Sequence, residues 1–77
     1  MPCIKIINSI KIYTYFRDHN PPHFHAIYGE WEELIEISNL ETYAGALPKT
    51  QRKKVIQWAS SNQDYLMRKW NDFNPNK

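Results

Sequence analysis

Apolar and polar residues alternate with a period of two through the first half of the chain. Ile4-Lys5-Ile6 reads as a short strand and Asn8-Ser9 as a turn. Ile10 to Phe16 is a second strand, rich in β-branched and aromatic residues. The run Arg17-Asp18-His19-Asn20-Pro21-Pro22 must be a loop, because two successive prolines cannot donate to a ladder and Pro21 pushes Asn20 away from the helical region. His23 to Tyr28 resumes the extended pattern. Gly29-Glu30 is a two-residue hairpin turn in which glycine accepts a positive φ, and Trp31 to Ile37 is the returning strand. Ser38-Asn39 breaks it, and Glu41 to Ala44 is a candidate for one more short strand.

The second half changes period. Pro48 suits the first turn of a helix, where its missing N–H is harmless. Val55, Ile56 and Ala59 form an apolar stripe at helical spacing. Ser61 with Asp64 resembles a capping box, so a second helix is expected from there, with Leu66, Trp70 and Phe73 on its buried face. Strands first and helices after argue an α+β domain over residues 1–77, with an antiparallel sheet of three to four strands and one or two C-terminal helices covering one face. The helices are needed because so small a sheet is unstable with both faces wet.

A Gly29-Glu30 turn fixes the hairpin register. Tyr28 then faces Trp31, Ala26 faces Glu33, His25 faces Leu34, Phe24 faces Ile35 and His23 faces Glu36. One face carries Phe24, Ala26, Tyr28, Trp31 and Ile35 and belongs under the helices. The other carries His23, His25, Glu32, Leu34 and Glu36. Residues two apart on a strand share a face, so both imidazoles emerge on one side, about 7 Å apart. All three histidines of the chain fall within the seven residues His19 to His25.

Three chemistries fit this cluster. In acid–base catalysis, His23 or His25 carries the proton, Glu36 orients the imidazole and Arg17 clamps an anion. Cleavage of RNA by its own 2′-hydroxyl needs little more than an acid, a base and a cation on the phosphate. In metal binding, the His-x-His pair supplies two nitrogens and His19, Asp18 or Glu36 a third ligand. In a structural role, His19 and His23 hold the loop formed by Asp18, His19, Pro21 and Pro22. The acid–base assignment (His23, His25, Glu36 and Arg17) is the working one, with no metal and no cofactor assigned.

Charge adds a second surface. Residues 1–48 carry three cations against six acids, a sum of −3, and residues 49–77 carry seven against two, a sum of +5, which together give the net +2. Lys49, Arg52, Lys53 and Lys54 crowd the first turns of the predicted helix, where cations oppose the helix dipole at a few tenths of a kcal/mol each. They are therefore candidate nucleic-acid contacts. Lys11, Tyr13, Tyr15 and Arg17 share one strand face by parity; on the histidine-bearing side they would line the same shallow surface.

The chain has 77 residues and one cysteine, Cys3, which excludes an intrachain disulfide framework and a cysteine-based zinc cluster. A domain this small buries only about 60% of the surface its unfolded chain exposes, so a large internal cofactor cavity is not expected. Apolar runs reach two to three residues, far short of a membrane span, and no signal peptide is visible. The expected compartment is the cytosol, and the thin core makes oligomerisation a natural expectation.

Several of these residues carry a resemblance. Met1-Pro2-x-Ile4, the strand Ile10 to Phe16, the run Asp18-His19-Asn20-Pro21-Pro22-His23-Phe24-His25-Ala26, Tyr28-Gly29, Ile35-Glu36-Ile37, and Gly45-x-Leu47-Pro48 before a helix with Trp58 resemble a small bacterial family catalogued as domain of unknown function number forty-one-sixty. The resemblance implies a small partner protein encoded nearby, in an arrangement like a toxin–antitoxin pair. The expected function is therefore a cytosolic component of such a module, acting on RNA by histidine-mediated acid–base chemistry. The alternative is a non-catalytic protein- or nucleic-acid-binding module that works in a complex with its small partner.

Overall fold

A computed structural model of the chain describes residues 3–15 and 18–75. Five strands, β1 (Cys3–Ile7), β2 (Ile10–Tyr13), β3 (His23–Tyr28), β4 (Trp31–Glu36) and β5 (Thr42–Ala46), precede two helices, α1 (Lys49–Ser60) and α2 (Gln63–Phe73). The strands form one antiparallel sheet in the order β1-β2-β3-β4-β5, so the fold is α+β. The sheet has one strand more than the three to four expected. The short segments at both edges, β1 and β5, complete hydrogen-bonded ladders with their neighbours.

Each turn follows from its residues. Asn8 and Ser9 both have positive φ, 45° and 70°, as a two-residue turn matched to strand twist requires. Gly29 has φ 58° at the β3–β4 turn, and the register there is the one the sequence predicts, from Tyr28↔Trp31 to His23↔Glu36.

Under the helices lie Ile10, Ile12, Phe24, Ala26 and Ile35, together with Val55 and Ala59 of α1 and Leu66 and Trp70 of α2, all fully buried. Burying a side chain such as Phe24 or Leu66 contributes about 1.5–3 kcal/mol each. Ile56 packs against this cluster partly buried, and Phe73 is half-buried.

The helix boundaries differ in detail from the sequence reading. Pro48 is the N-cap of α1 rather than its first helical residue. Ser61 and Asp64 make no capping box: Ser61 closes α1, and Asn62 is the N-cap of α2. The Asn62 side-chain amide is taken up by α1, donating to the Trp58 carbonyl at 2.7 Å. Trp31, expected under the helices, is 47% exposed because it sits at the hairpin tip, beyond their reach. Its inward-facing neighbour Glu33 is the residue that is buried there, at 1% exposure.

Candidate functional site

His23 and His25 do emerge together from β3, with ring centroids 5.1 Å apart. They converge on Asp18 in the loop before the strand. Asp18 Oδ2 lies 3.0 Å from His23 Nε2 and 3.1 Å from His25 Nε2. The far nitrogen of each ring is also engaged. His23 Nδ1 is 2.8 Å from the Pro21 carbonyl oxygen, and His25 Nδ1 is 3.0 Å from Glu32 Oε2 on β4.

The loop that carries Asp18 is fixed from a distance. Asn74, the C-cap of α2 and almost fully buried, accepts a 2.7 Å hydrogen bond from the Asp18 backbone N–H. Its amide donates to the Tyr15 carbonyl and back to that of Trp70, both at 3.1 Å. The other Asp18 oxygen, Oδ1, accepts the His19 N–H at 2.9 Å. Burial pushes the Asp18 carboxyl up, but the His25 contact, the His19 N–H and the positive potential of His23 and His25 outweigh it and hold the group below the ordinary aspartate range.

The two histidines differ in access. The His23 side chain is fully buried, its ring stacked on Tyr43 of β5 at 5.4 Å and packed against Trp70 at 5.3 Å. His25 is 12% exposed, with Tyr15 edge-on to its ring at 4.4 Å. Tyr13 pairs with His25 across the β2–β3 ladder and stacks on Tyr15 at 5.8 Å, so both tyrosines line the histidine-bearing side. Burial, together with Glu32, Tyr13 and Asp18 nearby, pushes the Tyr15 phenol above its ordinary value.

Other sequence-predicted residues are placed as follows. Glu36 is opposite His23 in the ladder, but the contacts to the His23 ring nitrogens come from Pro21 and Asp18. The orienting carboxylates are thus Asp18 and Glu32. Arg17 lies outside the described residues. Pro21 and Pro22 both anchor the corner through their carbonyls, Pro21 on His23 and Pro22 on the Ile37 N–H at 3.1 Å. His19 is 67% exposed, with Nδ1 3.2 Å from Asp18 Oδ1.

Of the four basic residues at the start of α1, Lys49 and Lys53 are exposed and Lys54 is half-buried. Arg52 is committed elsewhere. Its Nε donates to Glu33 Oε2 at 2.9 Å and its Nη2 to Thr42 Oγ1 at 3.3 Å. Glu33 also accepts from the Thr42 hydroxyl and from the Leu47 N–H at 3.0 Å. Burial pushes Glu33 up, and these donors with the Arg52 charge more than reverse it, leaving the carboxyl below the ordinary glutamate range. This cluster was missed by the sequence reading, although the hairpin register placed Glu33 opposite Ala26 on the apolar face. An acid at an inward position, with an arginine on the covering helix, was the available signal.

Asp18, His23 and His25 form the one group among the described residues whose ligand atoms lie close enough together to hold a metal ion, all within 4.8 Å. No helix among the described residues is long and apolar enough to cross a membrane. No curated protein and no solved structure matches the chain. A family model does, over residues 9–71, a span that includes the whole Asp18–His25 run, and the chain therefore belongs to the family described as domain of unknown function DUF4160.

Proposed function

We propose that the chain is the small component of a toxin–antitoxin-like module that acts on RNA, with its chemistry centred on His25. The observation that carries this reading is the position of His25: a partly exposed imidazole on the open side of the sheet, held between the carboxylates of Asp18 and Glu32. Asp18 on Nε2 orients the ring, and Glu32, half exposed on Nδ1, is the partner that a substrate group would displace to exchange a proton there. Tyr13 and Tyr15 beside it offer ring faces on which an unpaired base can stack, while Lys49, Lys53 and Lys54 stand on α1, over the other face, and would meet phosphates further along the strand. His23, being fully buried, serves this chemistry by packing behind Asp18 rather than by meeting substrate.

The test is incubation of the purified chain with single-stranded RNA, beside His25→Ala. Cleavage that falls at least a hundredfold in the variant, with the fold intact by circular dichroism, supports the reading. Intact RNA with the wild-type chain, or equal cleavage by the variant, overturns it.

A second reading is favoured by a separate observation. All five residues of β5 are exposed on a sheet edge, and Ile6 of the opposite edge strand is 59% exposed. β5 carries no charged residue, whereas β1 carries the exposed Lys5, so β5 is the better template for pairing with another chain. A non-catalytic module in complex with a small partner would use it. Co-purification with the product of the adjacent gene, as a stoichiometric complex without RNA cleavage by the chain alone, selects this reading.

A further inference from the structure

We propose that Asp18, His23 and His25 form a site for a divalent transition-metal ion, with Asp18 Oδ2 and the two Nε2 atoms as its ligands. The proposal shares residues with the RNA reading but does not depend on RNA being the substrate.

A carbonyl oxygen only accepts, so the 2.8 Å contact with Pro21 makes His23 Nδ1 the donor. In a neutral ring the His23 Nε2 then carries a lone pair, and it faces Asp18 Oδ2, another acceptor, at 3.0 Å. His25 repeats the pattern: Glu32 lies on Nδ1 and the same Asp18 oxygen on Nε2. Filling all four contacts with protons takes two imidazolium rings 5.1 Å apart, one of them fully buried. One cation at the shared corner replaces both Nε2 protons.

Geometry separates the two solutions at His23, whereas the His25 Nε2 contact with Asp18 Oδ2 has the geometry of a hydrogen bond. His23 Nε2 is buried and makes no hydrogen bond in the structure, despite its closeness to Asp18. The carboxylate oxygen is near but not where an N–H would point. A metal ion needs proximity of ligand atoms to one another, not linearity between them. An ion about 2.0–2.1 Å from each ligand in a tetrahedron would set ligand–ligand edges of about 3.3 Å. The two nitrogen–oxygen edges here are 3.0 and 3.1 Å, and the nitrogen–nitrogen edge, within 4.8 Å, is the one that a bound ion would have to draw in by a small rotation of the imidazoles.

Each ligand also has the outer contact that metal sites use. His23 donates Nδ1–H to a backbone carbonyl, His25 has Glu32 on its Nδ1, and Asp18 Oδ1 accepts the His19 N–H. Asn74 holds the Asp18 backbone from the end of α2. Two imidazoles with a single carboxylate suit zinc and its first-row neighbours, not calcium or magnesium, which take oxygen ligands. Three protein ligands leave a position for water, the pattern of catalytic rather than structural zinc.

The test uses the full chain made without a polyhistidine tag, stripped with a chelator and titrated with Co²⁺ and then Zn²⁺. One equivalent of Co²⁺ with visible d–d absorption, displaced by Zn²⁺ and raising the unfolding temperature, is the expected result. His25→Ala abolishes stoichiometric uptake, and Glu32→Gln, at a half-exposed position that leaves the fold intact, weakens it ten- to a hundredfold. His19→Ala keeps one equivalent. The proposal is overturned if the folded wild-type chain takes up neither metal stoichiometrically, or if uptake survives unchanged in both His25→Ala and Asp18→Asn. RNA cleavage is scored separately. A chain that binds metal and leaves RNA intact sinks the RNA reading alone, and one that cleaves RNA without binding metal sinks this one alone.

Discussion

The side-chain oxygen of Asn74 accepts a hydrogen bond from the Asp18 backbone N–H at 2.7 Å, tying the end of α2 to a loop 56 residues earlier in the chain. The same side chain donates to the Tyr15 and Trp70 carbonyls, so one buried amide closes the helix and sets the loop. Removing it takes the side-chain partner from the part-buried Asp18 N–H and Tyr15 carbonyl, while the Trp70 carbonyl keeps the Asn74 backbone N–H, at about 1–3 kcal/mol. Asn74→Ala is therefore expected to lower stability by about that amount in urea unfolding. It should also broaden or shift the His25 ring signals in NMR, because Asp18 loses its anchor. Unchanged His25 resonances would show that the loop holds its place without Asn74.

A second expectation concerns Glu33 and Arg52. Glu33 is buried and bonded by Thr42, Leu47 and Arg52, whereas Arg52 is 37% exposed and can return to water. Arg52→Ala strands a buried carboxylate with two neutral donors and should cost about 1–3 kcal/mol, short of the 3–5 kcal/mol of a fully buried broken pair. The pH dependence follows from the direction of the Glu33 shift. Its folded-state pKa is lowered, so the unfolded chain takes the proton first on acidification. The stabilisation is fully present above the unfolded value, about 4.3, and is lost as pH falls through the lower folded value. Glu33→Gln should flatten the acid limb of the stability curve, measured by denaturant midpoints from pH 7 down to pH 3.

The two glycines share a positive φ and differ in the room around them. Gly45 has φ 74°, and an added methyl would collide with the Glu32 backbone oxygen on the neighbouring strand. Gly45→Ala should thus push β5 off β4 and destabilise by about 1–3 kcal/mol. Gly29 has φ 58° with open space around it. An L side chain is strained at that φ even without a clash, so Gly29→Asn should cost about 1 kcal/mol, less than Gly45→Ala. Thermal melts of the two variants, side by side, check the contrast.

Local pattern carried most of the fold. The period-two run and the Gly29-Glu30 turn were enough to place His23 against Glu36 and both histidines on one side. The identity of the orienting carboxylate was not legible in the same way. Glu36 is the cross-strand neighbour, yet Asp18 reaches the rings because Asn74, at the far end of the chain, holds the loop there. Nothing in the spacing of residues 18–25 encodes that contact. Arg52 shows the same limit: read along α1 it belongs with Lys49, Lys53 and Lys54, and only the packing of the helix on Thr42 and Glu33 assigns it to the sheet. Adjacent residues of β5 serve both clusters, Thr42 the Glu33–Arg52 pair and Tyr43 the histidines, so the site and its basic neighbour are joined through one edge strand.

The two strand histidines should separate stability from chemistry. His23 is enclosed by Tyr43, Trp70 and the Pro21 carbonyl, so His23→Ala opens a void and frees a buried acceptor. A loss of about 2–4 kcal/mol is expected, a large share of what a chain this small has. His25 meets solvent, and its partner Glu32 is about half exposed and can be re-hydrated. His25→Ala should cost only about 1 kcal/mol in chelator-treated protein. Denaturant titrations of both variants give the stability order, and RNA cleavage and Co²⁺ uptake are then read on His25→Ala alone. If His25→Ala proves the more destabilising of the two, the partly exposed imidazole is a structural prop, and the chemistry assigned to it loses its basis.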